Sequence, residues 1–399
     1  MAELPAFLRA GADAVLDDDI DYDADFIPDY HARLAALRAD KGIARLRFSS
    51  GSGMVLLRHA DVYEVVSDET RYSKSEIFRP ATFPFMGPNI QGYEGHEHTV
   101  KRALVSPAFR RTIIPIYMQP IFRPIAEEIV DEFAALGSVD LMQAFAKKYP
   151  MRITNRLLGI PPDDEEKMAA WAVKMLDILA DPDGAVRANA EFTEYVAPLL
   201  DERRRDPGDD LLSLLVSEEV EGDRLSEEEV LSFLRLLFPA GVDTTWLTLG
   251  TLMYAVLQQP EVHERLIDDE TERYWAVEEG LRWGSSVAME PRMTLQDVVI
   301  GGVEVPAGEM VRCFIPVANR DPDVFEDPDR WNLDRRPRTH IAFGRGRHVC
   351  LGASLARGEL AVALDVLLRR LPGLRLVEEP RITGAILRGP RSLKVQWAC

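Results

Sequence analysis

Cys350 has around it the residue types that a thiolate ligand to a metal needs. It lies in the segment Phe343-Gly344-Arg345-Gly346-Arg347-His348-Val349-Cys350-Leu351-Gly352, directly before a helical pattern. The glycines allow the backbone to approach a flat group closely. Free N–H groups at the start of a helix stabilise an anionic sulfur. These features suit an axial ligand to haem iron, whereas the alternative of a buried structural cysteine explains neither the glycines nor their spacing.

Asp243 and Thr244 are the second candidates for chemistry, because they interrupt an apolar helix pattern. They belong to the run Ala240-Gly241-Val242-Asp243-Thr244-Thr245, where an acid and two β-branched hydroxyl residues are unfavourable. A threonine can hydrogen-bond to the carbonyl four residues earlier and open the helix locally. On its own, this pattern leaves a polar kink without chemistry as an open alternative.

His98 and Arg102 stand four residues apart, so a helix would place both side chains on one face. Two donors this close together suit a carboxylate ligand, and a solvated pair without a ligand is the alternative. His96 and His98 could also suggest a metal site. No further ligands cluster near them in the sequence, so we do not expect a metal there.

These segments, in this order and at these spacings, resemble the cytochrome P450 family of haem-thiolate enzymes. The resemblance extends from the strands near Leu46 to the last strands near Trp397. It implies haem b as the cofactor and a mainly α fold with small β-sheets. In that fold the haem lies between the long central helix and the helix after the cysteine loop. The haem-contacting residues implied are His98, Arg102, Ala240, Arg292, Phe343, Gly344, His348, Cys350 and Gly352, with Cys350 as the iron ligand.

The resemblance also implies roles for individual side chains. Thr244 would donate a hydrogen bond in the oxygen-binding groove, and Asp243 would pass protons inward. The propionates of the haem would be bound by His98, Arg102, Arg292 and His348.

A further pair, Glu279 and Arg282, would be structural, at i and i+3 on a helix beneath the haem. The chain departs from the family pattern at Trp246, at Glu94-Gly95-His96-Glu97, where Asp-x-Pro is usual, and at Ser286, where proline is frequent. The helix entry near residue 95 could therefore differ from that of the family.

The substrate is expected to be a hydrophobic small molecule, because the residues at cavity positions of the family are apolar. They are Phe83, Phe85, Met86, Ile90, Phe238, Val242, Val287, Ala288 and Leu387. The apolar segment from Arg79 to Gly92 is expected to be a loop that acts as a lid. The resemblance implies a monooxygenase that uses O2 to hydroxylate or epoxidise this substrate. The alternatives are a haem-thiolate protein that binds ligand without turnover and a peroxide-driven enzyme of the same fold.

Electrons must come from a separate protein, because the sequence contains no flavin or iron–sulfur motif. The resemblance implies a small ferredoxin or flavodoxin that docks near the Cys350 loop. A local basic patch could receive it, formed by Arg110, Arg111, Arg345 and Arg347. We expect at least one of these arginines to be buried or otherwise engaged.

The composition is that of a cytoplasmic enzyme. Only three cysteines, Cys313, Cys350 and Cys399, occur among 399 residues, so a disulfide framework is not expected. A net charge of -19 argues against nucleic acid or an anionic membrane as partner. The N-terminus is acidic and lacks a long apolar run, so we expect no signal peptide and no membrane anchor. No linker or repeat is evident, which predicts one domain over residues 1–399.

The elements that must position these residues are mostly helices. Helical patterns cover residues 98–159, 163–205 and about 268–283, and a further helix is capped by Ser226 and ends near Gln259. The last one begins after Cys350 and ends near Arg370. A short helix is predicted over 59–67, and strands over 46–48, 54–57 and 303–315, the last with a turn at Pro306-Ala307-Gly308.

Overall fold

The computed structural model of this chain describes residues 15–49, 51–161, 164–175 and 181–398, so the predictions made for the first fourteen residues and for Cys399 lie outside the described part. The α-helices are α1 Tyr30–Asp40, α2 His59–Ser67, α3 Ser75–Met86, α4 Gly95–Val105, α5 Ile114–Tyr117, α6 Arg123–Asp131, α7 Lys148–Leu158, α8 Glu165–Met175, α9 Pro182–Arg205, α10 Leu211–Ser217, α11 Glu227–Leu257, α12 His263–Asp268, α13 Glu270–Trp283, α14 Ile315–Ala318 and α15 Ala353–Arg370. Short 3-10 and π turns extend or join several of them.

The strands are short and form small sheets beside the helices. They are β1 Asp18–Asp21, β2 Ile43–Phe48, β3 Gly51–Leu56, β4 Tyr72–Ser73, β5 Ser138–Asp140, β6 Met289–Thr294, β7 Val298–Ile300, β8 Val303–Val305, β9 Met310–Phe314, β10 Arg375–Leu376, β11 Ile382–Thr383, β12 Gly389–Pro390 and β13 Lys394–Gln396. The largest sheet has the order β1-β2-β3-β9-β6-β4, and β10-β13-β5, β11-β12 and β7-β8 form the others. The predicted fold class, mainly α with small sheets, is confirmed.

Helix α11 is the central element of the helical part. The Ser226 hydroxyl accepts from the Glu229 N–H, and the Glu229 carboxylate accepts from the Ser226 N–H, which forms a capping box. The helix packs against α7, α8, α9, α13 and α15, and most of its residues are buried. Among the described residues, α11 is the helix that is long and apolar enough to cross a membrane. However, 72% of its most apolar 18-residue stretch is buried inside the protein. That is the position of a core helix.

Glu279 and Arg282 anchor the segment between Asn319 and Arg335 to helix α13. Both are fully buried, and Arg282 donates to the two carboxylate oxygens at 2.7 Å each. The remaining Arg282 donors reach backbone carbonyls, among them that of Asn319 at 2.9 Å, so the buried charge is completely hydrogen-bonded. A Cβ at Gly280 would lie 2.7 Å from Leu252 Cδ1, and this close approach to α11 explains a glycine inside a helix. The structural pair is therefore formed as predicted.

Two predictions about local structure are wrong in part. The lid segment predicted as a loop from Arg79 is helical up to Met86, because α3 continues through Pro80 and Pro84. A proline removes one backbone hydrogen bond, but buried side chains of α3 hold the helix against neighbouring elements. The helical region over 98–159 is interrupted by strand β5, which pairs with β13 near the C-terminus. A partner so distant in sequence leaves no local signal.

Candidate functional site

Cys350 lies at the end of a loop that turns sharply before helix α15. Gly344 and Gly346 have φ angles of 68° and 70°, which residues with a side chain rarely adopt. The Cys350 N–H donates to the Phe343 carbonyl at 2.9 Å and closes the loop. Cys350 is open to solvent on one side, but the protein atoms packed around the sulfur desolvate it and raise the pKa of the thiol, whereas the backbone N–H of Gly352 and the charge of Arg102 act to lower it. The Gly352 N–H and the Arg102 charge thus favour a thiolate, but in the protein alone they offset the desolvation only in part.

Small residues on the cysteine loop and on α11 border open space. A Cβ at Gly344 or Gly352 would meet no atom within 4 Å, and Cys350 itself is exposed. Ala240 is exposed as well, although Phe238 and Val242 on either side of it in α11 are buried. Side-chain-free surfaces of this kind are what a flat ligand needs on its two faces.

Thr244 lies one helical turn after Ala240 and is only partly buried. Its hydroxyl donates to the Ala240 carbonyl at 2.7 Å, which is the backbone bond that the sequence allows for a threonine in a helix. The hydroxyl proton is therefore directed into the helix. The lone pairs of the Thr244 oxygen remain available to accept a hydrogen bond from a water molecule or a protonated reactant.

Asp243 is held by Trp246, one of the positions at which the chain departs from the pattern of the family it resembles. Its Oδ1 accepts a hydrogen bond from Trp246 Nε1 at 3.0 Å. Lys147 Nζ and the guanidinium of Arg391 lie 5.2 and 5.3 Å from the centroid of the Trp246 ring. Burial raises the pKa of Asp243, and the Trp246 hydrogen bond and the two nearby cations oppose this rise only in part. A carboxyl group with a raised pKa is suited to general acid catalysis.

Three predicted propionate ligands each have one buried side-chain nitrogen that lacks a hydrogen-bond partner in the described part of the chain. The rings of His98 and His348 are 4.3 Å apart between centroids, and neither Nε2 atom has a hydrogen-bond partner. Arg292 is 2% exposed, and its Nε is equally without a partner. Burial and neighbouring cations lower the pKa of His98 to about 4 and that of His348 to about 2. Unsatisfied buried donors are costly, and an anionic group placed among them would satisfy them.

The fourth predicted propionate ligand, Arg102, is already engaged with the cysteine loop. Its Nη2 donates to the Val349 carbonyl at 2.6 Å. Arg102 therefore links α4 to the residue that precedes Cys350, and its remaining donors are available to a ligand.

Lys74 belongs to the same cluster and was missed by the sequence analysis. Its Nζ lies 2.7 Å from Glu290 Oε1, and Arg292 Nη1 donates to the same oxygen at 2.8 Å. Burial disfavours the Glu290 carboxylate, but the charges of Lys74 and Arg292 outweigh this and lower its pKa to about 2. Lys74 is 216 residues from Glu290 and is brought to it by the pairing of β4 with β6. No local motif could have indicated it.

The predicted substrate residues fall into two groups. Val287 and Leu387 pair as an isolated antiparallel bridge, and Leu387 and Ile90 pack against the cluster that contains Phe238 and Val242. Partial exposure leaves surface for a ligand on Phe83, Phe85, Ile90, Val287 and Leu387. By contrast, the side chains of Met86, Phe238, Val242 and Ala288 are at most 3% exposed. Phe238 stacks on Phe192 with the centroids 5.3 Å apart.

His96 stands apart from the buried donors around His98. It lies on the surface, 3.4 Å from Glu221. Among the described residues, no group of three or more histidine, cysteine or acidic side chains could hold a metal ion.

A groove of about 450 Å³ lies on the side of the cysteine loop where Phe343, Gly344 and Val349 are found. Its lining combines aromatic and cationic residues, among them Tyr274, Trp275, Arg111, Arg338, Arg345 and Arg357. Glu278, the one acid of the lining in the part of the chain that the structure describes, is paired with Arg357 at 2.5 Å and with His340 at 3.1 Å. The groove is therefore positive, although the protein as a whole is negative.

The predicted basic patch is found only in part. Arg111 and Arg345 line the groove, and Arg110 is exposed beside Arg111. Arg347 is engaged elsewhere, because its Nη1 donates to the Gly95 carbonyl at 3.2 Å and to Thr99. The expectation that at least one of the four arginines would be engaged is confirmed.

Comparison with known proteins gives a consistent result. The family model described as Cytochrome P450 matches residues 168–272 and 274–397. The chain is 36% identical over 378 residues to the mycinamicin IV hydroxylase/epoxidase of Micromonospora griseorubida. This alignment covers 92% of this chain and 95% of that protein. It is 35% identical over 354 residues to the vitamin D(3) 25-hydroxylase of Pseudonocardia autotrophica, with 87% of each chain covered.

The fold also matches solved structures. The cytochrome P450 CYP109Q5 of Chondromyces apiculatus superposes with a TM-score of 0.86 at 31% identity, covering 95% of this chain and 98% of that chain. The PksS protein of Bacillus subtilis superposes with a TM-score of 0.85 at 32% identity, covering 93% and 97%.

Proposed function

Since this chain belongs to the cytochrome P450 family and is a haem b-dependent monooxygenase, we propose that it hydroxylates or epoxidises a hydrophobic small molecule with electrons from a separate ferredoxin or flavodoxin. When bound, the haem activates O2, so that with two electrons and two protons one oxygen atom enters a C–H or C=C bond and the other leaves as water. The observation that carries the proposal is the pair Asp243 and Thr244 beside the exposed Ala240. A protein that only binds a ligand would need neither residue.

The chain's own residues supply binding and proton handling. Cys350 would ligate the iron, and Phe343, Gly344, Gly352 and Ala240 would contact the haem. The buried donors of His98, Arg292 and His348 fit the two carboxylates of the haem, and Arg102 completes the set. Lys74 acts through Glu290, because it holds this carboxylate beside Arg292.

Haem retention tests this set directly. In Arg292→Gln a propionate loses a charged hydrogen bond worth about 1.5–3 kcal/mol, so we expect haem affinity to fall about ten- to a hundredfold. Lys74→Met should weaken haem binding less, because Arg292 remains. The measurement is the rate of haem transfer to an excess of apomyoglobin. Arg312→Gln is the control, since Arg312 is also buried on the adjacent strand but stacks on Phe48. Equal rates for Arg292→Gln and Arg312→Gln would contradict the propionate role.

The substrate is proposed to be hydrophobic, because the partly exposed residues that could contact it are apolar. Turnover should be tested with compounds that change the haem spectrum when they bind. Each compound is then supplied with O2 and either a reduced ferredoxin or a reduced flavodoxin, and the product is analysed for one oxygen atom derived from O2. Product formed only with added peroxide would favour the peroxide-driven alternative instead.

The electron donor is proposed to dock on the positive groove beside the cysteine loop. Ferredoxins and flavodoxins that use such a surface bind through complementary charge, which mainly increases the rate of association. Arg345→Glu combined with Arg111→Glu should slow reduction of the haem about tenfold at low salt, and the difference from wild type should shrink as salt rises. Stopped-flow reduction with each donor measures this. Arg224→Glu, a charge reversal at an exposed arginine that pairs with Glu219, should have no effect. An equal loss in both variants would remove the groove as the docking site.

The cytoplasm is the proposed location, in keeping with the few cysteines and the acidic composition of the chain.

A further inference from the structure

A second cavity, of about 200 Å³, lies between the end of α13, the start of α1 and the hairpin formed by β11 and β12. Among the described residues, its lining includes His31, Arg320 and Arg388 but no aspartate or glutamate. Its other walls are largely aromatic and aliphatic, with Trp283, Tyr254, Pro316 and Ile382. The cavity therefore has a cationic part and an apolar part.

Arg388 is a buried cation whose charge is opposed only at longer range, by the exposed carboxylate of Asp25. It is 7% exposed, forms no ion pair with any carboxylate in the described part of the chain, and its Nε has no hydrogen-bond partner. Its one side-chain hydrogen bond in that part, from Nη1 to the Gly384 carbonyl, is long at 3.3 Å. The guanidinium instead stacks 3.8 Å from the centroid of the Tyr30 ring, and the hydroxyl of Tyr30 is also buried without a partner. A buried unpaired charge of this kind is costly unless a ligand compensates it.

Arg320 adds a second positive charge to the same cavity. It is 8% exposed and donates mainly to the Trp283 carbonyl, at 2.7 Å from Nη2. Its carboxylate partner, Asp329, lies at 3.3 Å but is largely exposed to solvent. Burial lowers the pKa of Arg388, and burial together with the charges of Arg282 and Arg388 lowers that of Arg320 to about 10. Both guanidinium groups thus lie where an anion would be favoured.

We propose that this cavity binds a small organic carboxylate, with the carboxylate on Arg388 and the apolar part of the ligand against Trp283 and Ile382. A guanidinium can bind a carboxylate through two parallel hydrogen bonds. The volume is below the 300–1,000 Å³ or so of sites for drug-sized molecules, so the ligand is small. The aromatic and aliphatic walls favour an organic carboxylate over inorganic phosphate.

The site is separate from the predicted substrate residues but shares a wall with them. The Arg388 N–H donates to the Ser286 carbonyl at 2.7 Å, and the next residues on each side, Val287 and Leu387, face each other as a bridge. A ligand of the cavity therefore binds behind the strip that carries these predicted substrate contacts.

Calorimetric titration of the haem-loaded enzyme with sodium benzoate, at constant ionic strength, tests the proposal. We expect one benzoate per chain, no binding of the neutral analogue benzyl alcohol, and weaker binding of inorganic phosphate. Arg388→Gln should weaken benzoate binding about tenfold or more, the loss typical of a charged hydrogen bond. Arg381→Gln is the matched control, because Arg381 is an exposed arginine of the same hairpin and lies against Phe26.

A second variant keeps the test decisive if Arg388→Gln does not fold. Ile382→Trp leaves Arg388 in place and fills the cavity, so it should abolish benzoate binding. The haem spectrum recorded during each titration identifies binding in the substrate chamber. No binding of benzoate to wild type, binding unchanged by Arg388→Gln or Ile382→Trp, or binding that shifts the haem spectrum and persists in both variants would each overturn the proposal. Phosphate binding more tightly than benzoate would overturn the assignment to a carboxylate.

Discussion

Replacement of Cys350 by histidine is expected to remove the thiolate-type spectrum of the reduced carbon monoxide complex and to abolish monooxygenase turnover. The physical reason is that an imidazole is neutral and donates much less electron density to iron than a thiolate does, which disfavours O–O cleavage. The loop can still hold the cofactor, because the glycine turns and the buried donors of His98, Arg292 and His348 remain. Haem content should therefore fall far less than activity.

Cys313 provides the matched control for this experiment. It is fully buried on β9, and burial raises the pKa of its thiol to about 12, so it stays protonated at neutral pH. Cys313→Ser should keep both the thiolate-type spectrum and turnover. A thiolate-type spectrum that persists in Cys350→His would show that another residue ligates the iron.

Thr244→Ala is expected to separate electron consumption from product formation. Removal of the hydroxyl beside Ala240 takes away a group that can hold a proton-donating water in place, and such help is typically worth about 10²–10⁴-fold in rate. Substrate binding and reduction should persist, while much of the reduced O2 leaves as hydrogen peroxide. Thr244→Ser restores the hydroxyl and should restore coupling. Thr248→Ala is the control on the same helix, since Thr248 makes the same type of bond to the carbonyl of Thr244.

Asp243→Asn should act differently, because an amide cannot carry a proton from solvent. We expect slower O2-dependent turnover at all pH values where wild type is active, with coupling less affected than in Thr244→Ala. The measurement compares reductant consumed, product formed and peroxide released for a compound found in the spectral screen. Full rate and full coupling in both variants would reduce the pair to a structural feature of α11.

Because Trp246 donates a hydrogen bond to Asp243, the rate of turnover is expected to depend on pH in a way that Trp246 controls. Donation from Nε1 favours the ionised carboxylate of Asp243, so Trp246→Phe should raise the pKa of Asp243 further. The part of the pH–rate profile that reflects Asp243 should then move to higher pH, and it should vanish in Asp243→Asn. Trp397→Phe, which removes an indole that donates to the Ala134 carbonyl and not to Asp243, should leave the profile unchanged.

Several features of the molecule could be read from short stretches of sequence. The capping box at Ser226, the helix after Cys350 and the strands around residue 50 depend on side-chain patterns and backbone preferences within a few residues, and each is found close to its predicted position. The resemblance of the cysteine loop was equally local, because its glycines and its cysteine are neighbours in the chain. The proline-rich helix α3 is the exception, since packing overrides the local preference there.

The sequence by itself therefore determined the fold class, the family and the cysteine loop. Only the tertiary structure decided which distant groups meet. It brings Lys74 to Glu290, places Arg320 and Arg388 around one cavity, and pairs strand β5 with strand β13. The physical reason is how far apart along the chain the interacting residues lie. Helix caps, turns and amphipathic periodicity arise from interactions between residues close in the chain, whereas contacts between residues far apart depend on how whole elements pack, and burial then sets the strength of each charge.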